Sequence, residues 1–153
     1  VVYAPSSDTA AITRSGASYV DDYFAILKGR DAAVLHCQKN EETTDMFSER
    51  EFNMMKKSSF LINCARGGIV NEKSLYKALT SKKILGAGLD VYDDEPSTSS
   101  NPLFSLDNIL LSPHIAGVTQ EATIRMSKQA VQNVLDVFDN KVDPEVIINK
   151  NVL

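Results

Sequence analysis

Three residues have types and spacing that could do chemistry: Arg66, Glu95 and His114. Arg66 follows the apolar run "FLINCA", Glu95 follows "GLDVYDD" and His114 follows "NILLSP". Taken singly, each has an ordinary explanation. An arginine at a strand end is usually solvated or ion-paired, an acid beside Asp93 and Asp94 is usually a wet loop residue, and a histidine after proline is commonly a turn residue. The trio at consecutive strand ends carries more. A carboxylate beside His114 would stabilise imidazolium and keep an acid available near neutral pH. Arg66 would present a planar fork of donors to a carboxylate or a polarised carbonyl. Together they suit reduction of a 2-keto acid, with Arg66 anchoring the substrate and His114 delivering a proton to the new alkoxide. No side chain supplies hydride, so a nicotinamide cofactor is required.

The elements that must position this trio are short apolar runs alternating with helical patterns. "VVY" (1–3), "AAVLHC" (32–37), "FLINC" (60–64), "ILGAGLDVY" (84–92) and "NILLS" (108–112) read as strands. Helical patterns cover 19–30, stopped by Gly29, and 43–57, which carries Met46, Phe47, Phe52, Met54 and Met55 and ends in lysines. Asn71 is placed to cap the next helix, with Leu75, Ala78 and Leu79 on one face. Thr119 is placed to cap a long amphipathic helix whose expected buried stripe is Val131, Val134, Leu135 and Phe138. Continuous apolar strands separated by helices imply a parallel sheet covered on both faces, the doubly wound α/β class. Ligands in such sheets bind beyond the carboxyl ends of the strands, which is where the trio sits.

Composition sets the outer bounds. The 153 residues are 43% apolar, 24% charged and 7% aromatic, with a net charge of −4, the profile of an ordinary globular chain. A mildly acidic chain without a basic patch argues against nucleic acid as the main partner. No apolar run is long enough to span a membrane, and no leader pattern opens the chain, so a cytoplasmic location is the default expectation. Cys37 and Cys64 both fall in apolar runs and read as buried reduced thiols. No metal centre is expected.

"LINCARGGIVNEKSLYKAL", "GAGLDVYDDEP" and "SPHIAGVTQEA" closely resemble the D-isomer-specific 2-hydroxyacid dehydrogenases, over about residues 1–140. The resemblance implies a Rossmann-type fold and three roles: Arg66 binds substrate, Glu95 partners the histidine, and His114 is the proton donor and acceptor. It further implies cofactor contacts at Cys37, Cys64, Ala65, Arg66, Asp90 and the "HIAG" turn of His114, Ile115, Ala116 and Gly117. Asp90 corresponds to the aspartate beside the nicotinamide carboxamide. The ordinary reading of Gly67, Gly68, Gly86 and Gly88 is close strand–helix packing. The ordinary reading of His36 is a strand-end packing residue. Gln38 stands where the family's proline is usual.

Departures from the family pattern shape the remaining expectations. The G-x-G-x-x-G loop that lays a pyrophosphate on a helix N-terminus is absent, and the chain opens at what reads as the second strand. In a 3-2-1-4-5-6 sheet the absent first strand is the central one, so nothing would pair strand 2 with strand 4. A sheet split there would leave unpaired backbone and an uncovered apolar face, so the chain alone is expected to be unstable or incomplete. Residues 1–118 read as a partial dinucleotide-binding domain. Residues 119–153 read as a helix and a tail returning toward a separate substrate domain that is also absent. Ala4 occupies the place of the usual ribose-binding acid, so NAD is expected with NADP open as the alternative, and Ser6, Ser7 and Arg14 are candidates to meet a 2′-phosphate. The expected partner is a small 2-hydroxy or 2-keto acid, and a homodimer is expected of the complete protein. Two other readings are a non-catalytic, corepressor-like dinucleotide module and an inactive fragment.

Overall fold

The computed structural model describes residues 1–5 and 7–152. Its chain divides into two compact units, Val1–His114 and Ile115–Leu153.

The first unit is built on one parallel sheet of four strands: β1 (Ala32–Leu35), β2 (Phe60–Asn63), β3 (Gly86–Leu89) and β4 (Ile109–Leu111), side by side in that order. Leu35 lies across from Asn63, Asn63 from Leu89, and Leu89 from Leu111, so the four carboxyl ends are level. Alternation sets the faces. Ala33, Leu35, Leu61 and Leu89 point to the covered side and are buried. There they meet Phe52 from α2 (Glu49–Met54) and Leu75, Ala78 and Leu79 from α3 (Glu72–Thr80), with Phe47 and Ile69 filling the spaces between. Phe47 and Phe52 meet edge to face at 5.4 Å between ring centres, a favoured aromatic geometry.

Local signals explain where the helices start. Asn71 accepts from the Ser74 amide at 2.9 Å and caps α3, whose apolar face holds the expected three residues. Before α2 the outcome differs from the expected 43–57 helix. Asn40 and Thr43 exchange bonds between main chain and side chain, and Asp45 adopts a positive φ of 52°. Those turns delay the helix to Glu49, where Glu51 reaches back to the Ser48 amide at 2.9 Å. Phe47 is left extended and bridges Val70.

The expected helix over 19–30 shrinks to a single 3-10 turn, Tyr23–Ile26. Tyr19 and Val20 are drawn into a bridge with Val2, through Val2 N–H to Ser18 O and Val20 N–H to Val2 O, so helical structure can begin only after Asp22. A short helix α1 (Thr9–Arg14), capped by Asp8, lies between the two bridging segments.

The expected break in the sheet is present among the described residues. Val2 takes its main-chain partners from Ser18 and Val20, while residues 32–35 pair directly with residues 60–63. The break therefore lies before β1, which forms an edge of the four-stranded sheet. The uncovered apolar face expected of such a break is also seen, in place of the two-sided coverage of a complete doubly wound sheet: Val34 (52% exposed), Phe60 (43%) and Leu110 (81%) share the face opposite the core and stand open.

The second unit carries α4 (Gln120–Phe138), capped as expected by Thr119 accepting from the Ala122 amide at 3.1 Å. Its expected buried stripe is not buried. Val131, Val134, Leu135 and Phe138 are all exposed. Caps and the Gln129–Asn133 and Gln132–Asp136 pairs are local and suffice to set the helix, whereas periodicity names an apolar face without supplying what covers it. No helix among the described residues is long and apolar enough to cross a membrane.

Candidate active site

Arg66 leaves the end of β2 on a turn that one buried side chain shapes. The Asn63 amide, 1% exposed, accepts from Ala65 N–H at 3.0 Å and donates to the Arg66 carbonyl at 3.1 Å. A buried amide satisfied on both sides rigidifies what it touches. The guanidinium is exposed and Nη1 donates back to the Ala65 carbonyl at 2.7 Å. Among the described residues Arg66 makes no side-chain ion pair, which leaves most of its fork for a ligand. Gly67 then passes so close to the loop after β3 that a Cβ there would lie 1.7 Å from the Tyr92 carbonyl oxygen. The ordinary packing reading of this glycine is right in kind, though its neighbour is the next loop's backbone and no helix.

Glu95 and His114 meet. Glu95 Oε2 lies 2.7 Å from His114 Nδ1, and Oε1 accepts from the Tyr92 amide at 2.9 Å. The histidine bond, then the Tyr92 amide, hold the Glu95 carboxyl below its usual range, with a smaller contribution from the Arg66 charge. His114 reaches this place with a positive φ of 56°, a region that disfavours side chains although histidine enters it more readily than most. Tyr92 supports both arms, since its hydroxyl donates to the Ser112 carbonyl at 2.9 Å just before Pro113. With Nδ1 committed to the carboxylate, Nε2 is the nitrogen left for a substrate.

A cavity of about 630 Å³ at the carboxyl ends of β1, β2 and β3 gathers Cys37, Cys64, Ala65, Arg66, Glu95 and His114. That size falls within the usual range of small-molecule sites, roughly 300–1,000 Å³. His36 and Lys39 line it as well; His36 is exposed there, so the strand-end packing reading fails. Asp90 stands apart from this lining. It is 3% exposed and its carboxylate accepts from the Ser112 hydroxyl at 2.6 Å. Ile115, Ala116 and Gly117 belong to the second compact unit. Cys37 and Cys64 are half-buried free thiols, and burial pushes Cys37 up. Arg14 pairs with Asp8 at 3.5 Å on the surface, Ser7 is exposed, and Ser6 lies outside the described residues.

Sequence reasoning missed Asn63, Tyr92 and Asp93. Asn63 falls inside the "FLINC" strand run, and the signal available was a polar side chain at a position whose strand parity points it inward.

A parallel sheet with a ligand-sized cavity and an arginine, a glutamate and a histidine at its strand ends defines a dinucleotide-binding α/β domain of the oxidoreductase type. The sequence profile of the D-isomer specific 2-hydroxyacid dehydrogenase NAD binding domain matches residues 1–116, and the chain belongs to that family. Over its whole length the chain is 37% identical to a glyoxylate reductase of Thermococcus litoralis, covering 45% of that protein. It is 35% identical over 116 residues, 76% of the chain, to a D-3-phosphoglycerate dehydrogenase of Archaeoglobus fulgidus, covering 22% of it. The NAD-complexed D-isomer specific 2-hydroxyacid dehydrogenase of Lactobacillus delbrueckii ssp. bulgaricus superposes with a TM-score of 0.82 at 29% identity, over 96% of this chain and 47% of that one. The chain thus spans less than half the length of these relatives.

Proposed function

We propose that the protein carrying this chain is an NAD-dependent 2-hydroxyacid dehydrogenase that reduces a small 2-keto acid, with glyoxylate and hydroxypyruvate as the first candidates. The observation that carries the proposal is the 2.7 Å Glu95–His114 pair opening on the same cavity as the free fork of Arg66. The cavity suits a nicotinamide and a small acid together: it lies past the strand ends, and the side-chain-free Gly67 lets its two walls close up. Cys37, Cys64, Ala65 and Arg66 would border the cofactor, which supplies the hydride.

The chain's own residues do the rest. Arg66 holds the substrate carboxylate in two parallel charge-assisted bonds and fixes the keto carbon in the cavity. His114 presents protonated Nε2 to the keto oxygen and gives up that proton as the alkoxide forms. Glu95 accepts from Nδ1–H throughout, so the imidazolium is stabilised and its ring cannot turn away. Residues 1–118 serve as the nucleotide-binding part and residues 119–153 as a helix and tail directed to a separate substrate domain. A homodimer is the proposed assembly of the full-length protein.

The experiment is turnover by the full-length protein of glyoxylate, hydroxypyruvate and pyruvate, each with NADH and with NADPH. Reduction of at least one acid with NADH preferred is the expected result. No turnover of any acid with either cofactor overturns the proposal; a strong NADPH preference overturns the cofactor part alone.

A further inference from the structure

The loop that carries Arg66 and the loop that carries Glu95 are joined by one side-chain bond and seated on one helix. Asp93 Oδ1 accepts from the Gly68 amide at 2.8 Å, linking a point two residues past Arg66 to a point two residues before Glu95. Asp93's own amide donates to Glu72 Oε1 at 2.8 Å, in the first turn of α3. The other oxygen of Glu72 accepts from Asn101 Nδ2 at 2.8 Å, and Asn101 caps the next turn by accepting from the Leu103 amide at 3.0 Å. Gly68 has a φ of +76° and follows a second glycine, so its turn has little conformational preference of its own and takes its shape from what holds it.

We propose that Asp93, seated on Glu72, is a positioning residue that fixes the Arg66 fork at its working distance from the Glu95–His114 pair. The proposal rests on the function proposed above for that pair and arginine. Asp93 lines the cavity as well, and it acts on the Arg66 loop through the Gly68 amide. Burial and the neighbouring Glu72 push its carboxyl up, Asp45 adds to this, and only the Gly68 amide and Lys39 oppose it.

The test compares Asp93→Ala with Asp93→Asn in the full-length protein, reading both steady-state kinetics and hydrogen exchange at the Gly68 amide. Asparagine keeps a carbonyl oxygen in reach of that amide, whereas alanine does not. Asp93→Ala should raise KM for the 2-keto acid by about 10–10²-fold, more than it lowers kcat, as expected when an anchoring group is misplaced by up to an ångström. Asp93→Asn should restore KM to within about threefold of wild type. Gly68 exchange should quicken in the alanine variant and stay slow in the asparagine one. Should Asp93→Ala fail to fold, Glu72→Ala removes the seat and carries the same comparison. Unchanged Gly68 exchange in the alanine variant overturns the clasp, and faster exchange with unchanged KM overturns its positioning role. Absence of turnover in the wild type would defeat the proposed function alone, because the exchange comparison still decides the clasp.

Discussion

Gly67→Ala tests how tightly the two loops of the site are set against each other. The new methyl would sit 1.7 Å from the Tyr92 oxygen and 2.3 Å from its carbonyl carbon, both backbone atoms that no rotamer change can move. Restoring ordinary contact at 3.4 Å requires the loops to part by about 1.7 Å. Overpacking of this kind costs about 1–3 kcal/mol of stability. The kinetic effect should be larger, because Arg66 is the preceding residue and Tyr92 holds Glu95. A displacement of about 1 Å between cooperating groups costs on the order of 10²-fold, so kcat/KM should fall by at least about that factor. The assay is 2-keto acid reduction by the full-length variant, run well below its melting temperature so that unfolding does not contribute. A variant that keeps its rate within about threefold would refute the reasoning, since the loops would then tolerate separation without loss of catalytic geometry.

Three further outcomes follow from the same geometry. Glu95→Gln removes the charged acceptor that holds the His114 ring in place, so kcat for keto-acid reduction should fall by about tenfold or more; an unchanged kcat would break the pairing. Because the Glu95 carboxyl is held below its usual range, its bond to His114 contributes stability above the ordinary glutamate range, and this is lost as pH falls through the depressed value. Acid unfolding of wild type and Glu95→Gln should therefore converge in that window, and curves that stay separated would contradict it. Arg66→Lys keeps the charge but loses the fork, so KM for the keto acid should rise by about tenfold or more with NADH affinity retained, read by kinetics and fluorescence titration.

Much of this was legible in the sequence, for identifiable reasons. Strand periodicity and the caps at Asn71 and Thr119 are local signals, and the structure honours them. The convergence of Arg66, Glu95 and His114 on one side follows from parallel strands alone, and family resemblance sharpened it. What could not be read is non-local. The Val2–Tyr19 bridge displaced an expected helix, because backbone partners leave no mark in composition. The shortened α2 came from an Asn40–Thr43 turn whose polar residues looked compatible with a helix start. The bond that the Ser112 hydroxyl donates to the buried Asp90 carboxylate likewise crosses between strand ends and leaves no mark in either strand's pattern. The Asp93 and Asn63 contacts depend on side chains crossing between loops, which no single-strand pattern encodes.

The central claim is that His114, held by Glu95, gives the proton that completes reduction of a keto acid gripped by Arg66. The most direct measurement is kcat of His114→Ala in the full-length protein at saturating NADH and keto acid, with NADH affinity measured alongside. A loss of about 10²–10⁴-fold in kcat with unchanged NADH affinity is the predicted result. A kcat that stays at the wild-type value would contradict the account.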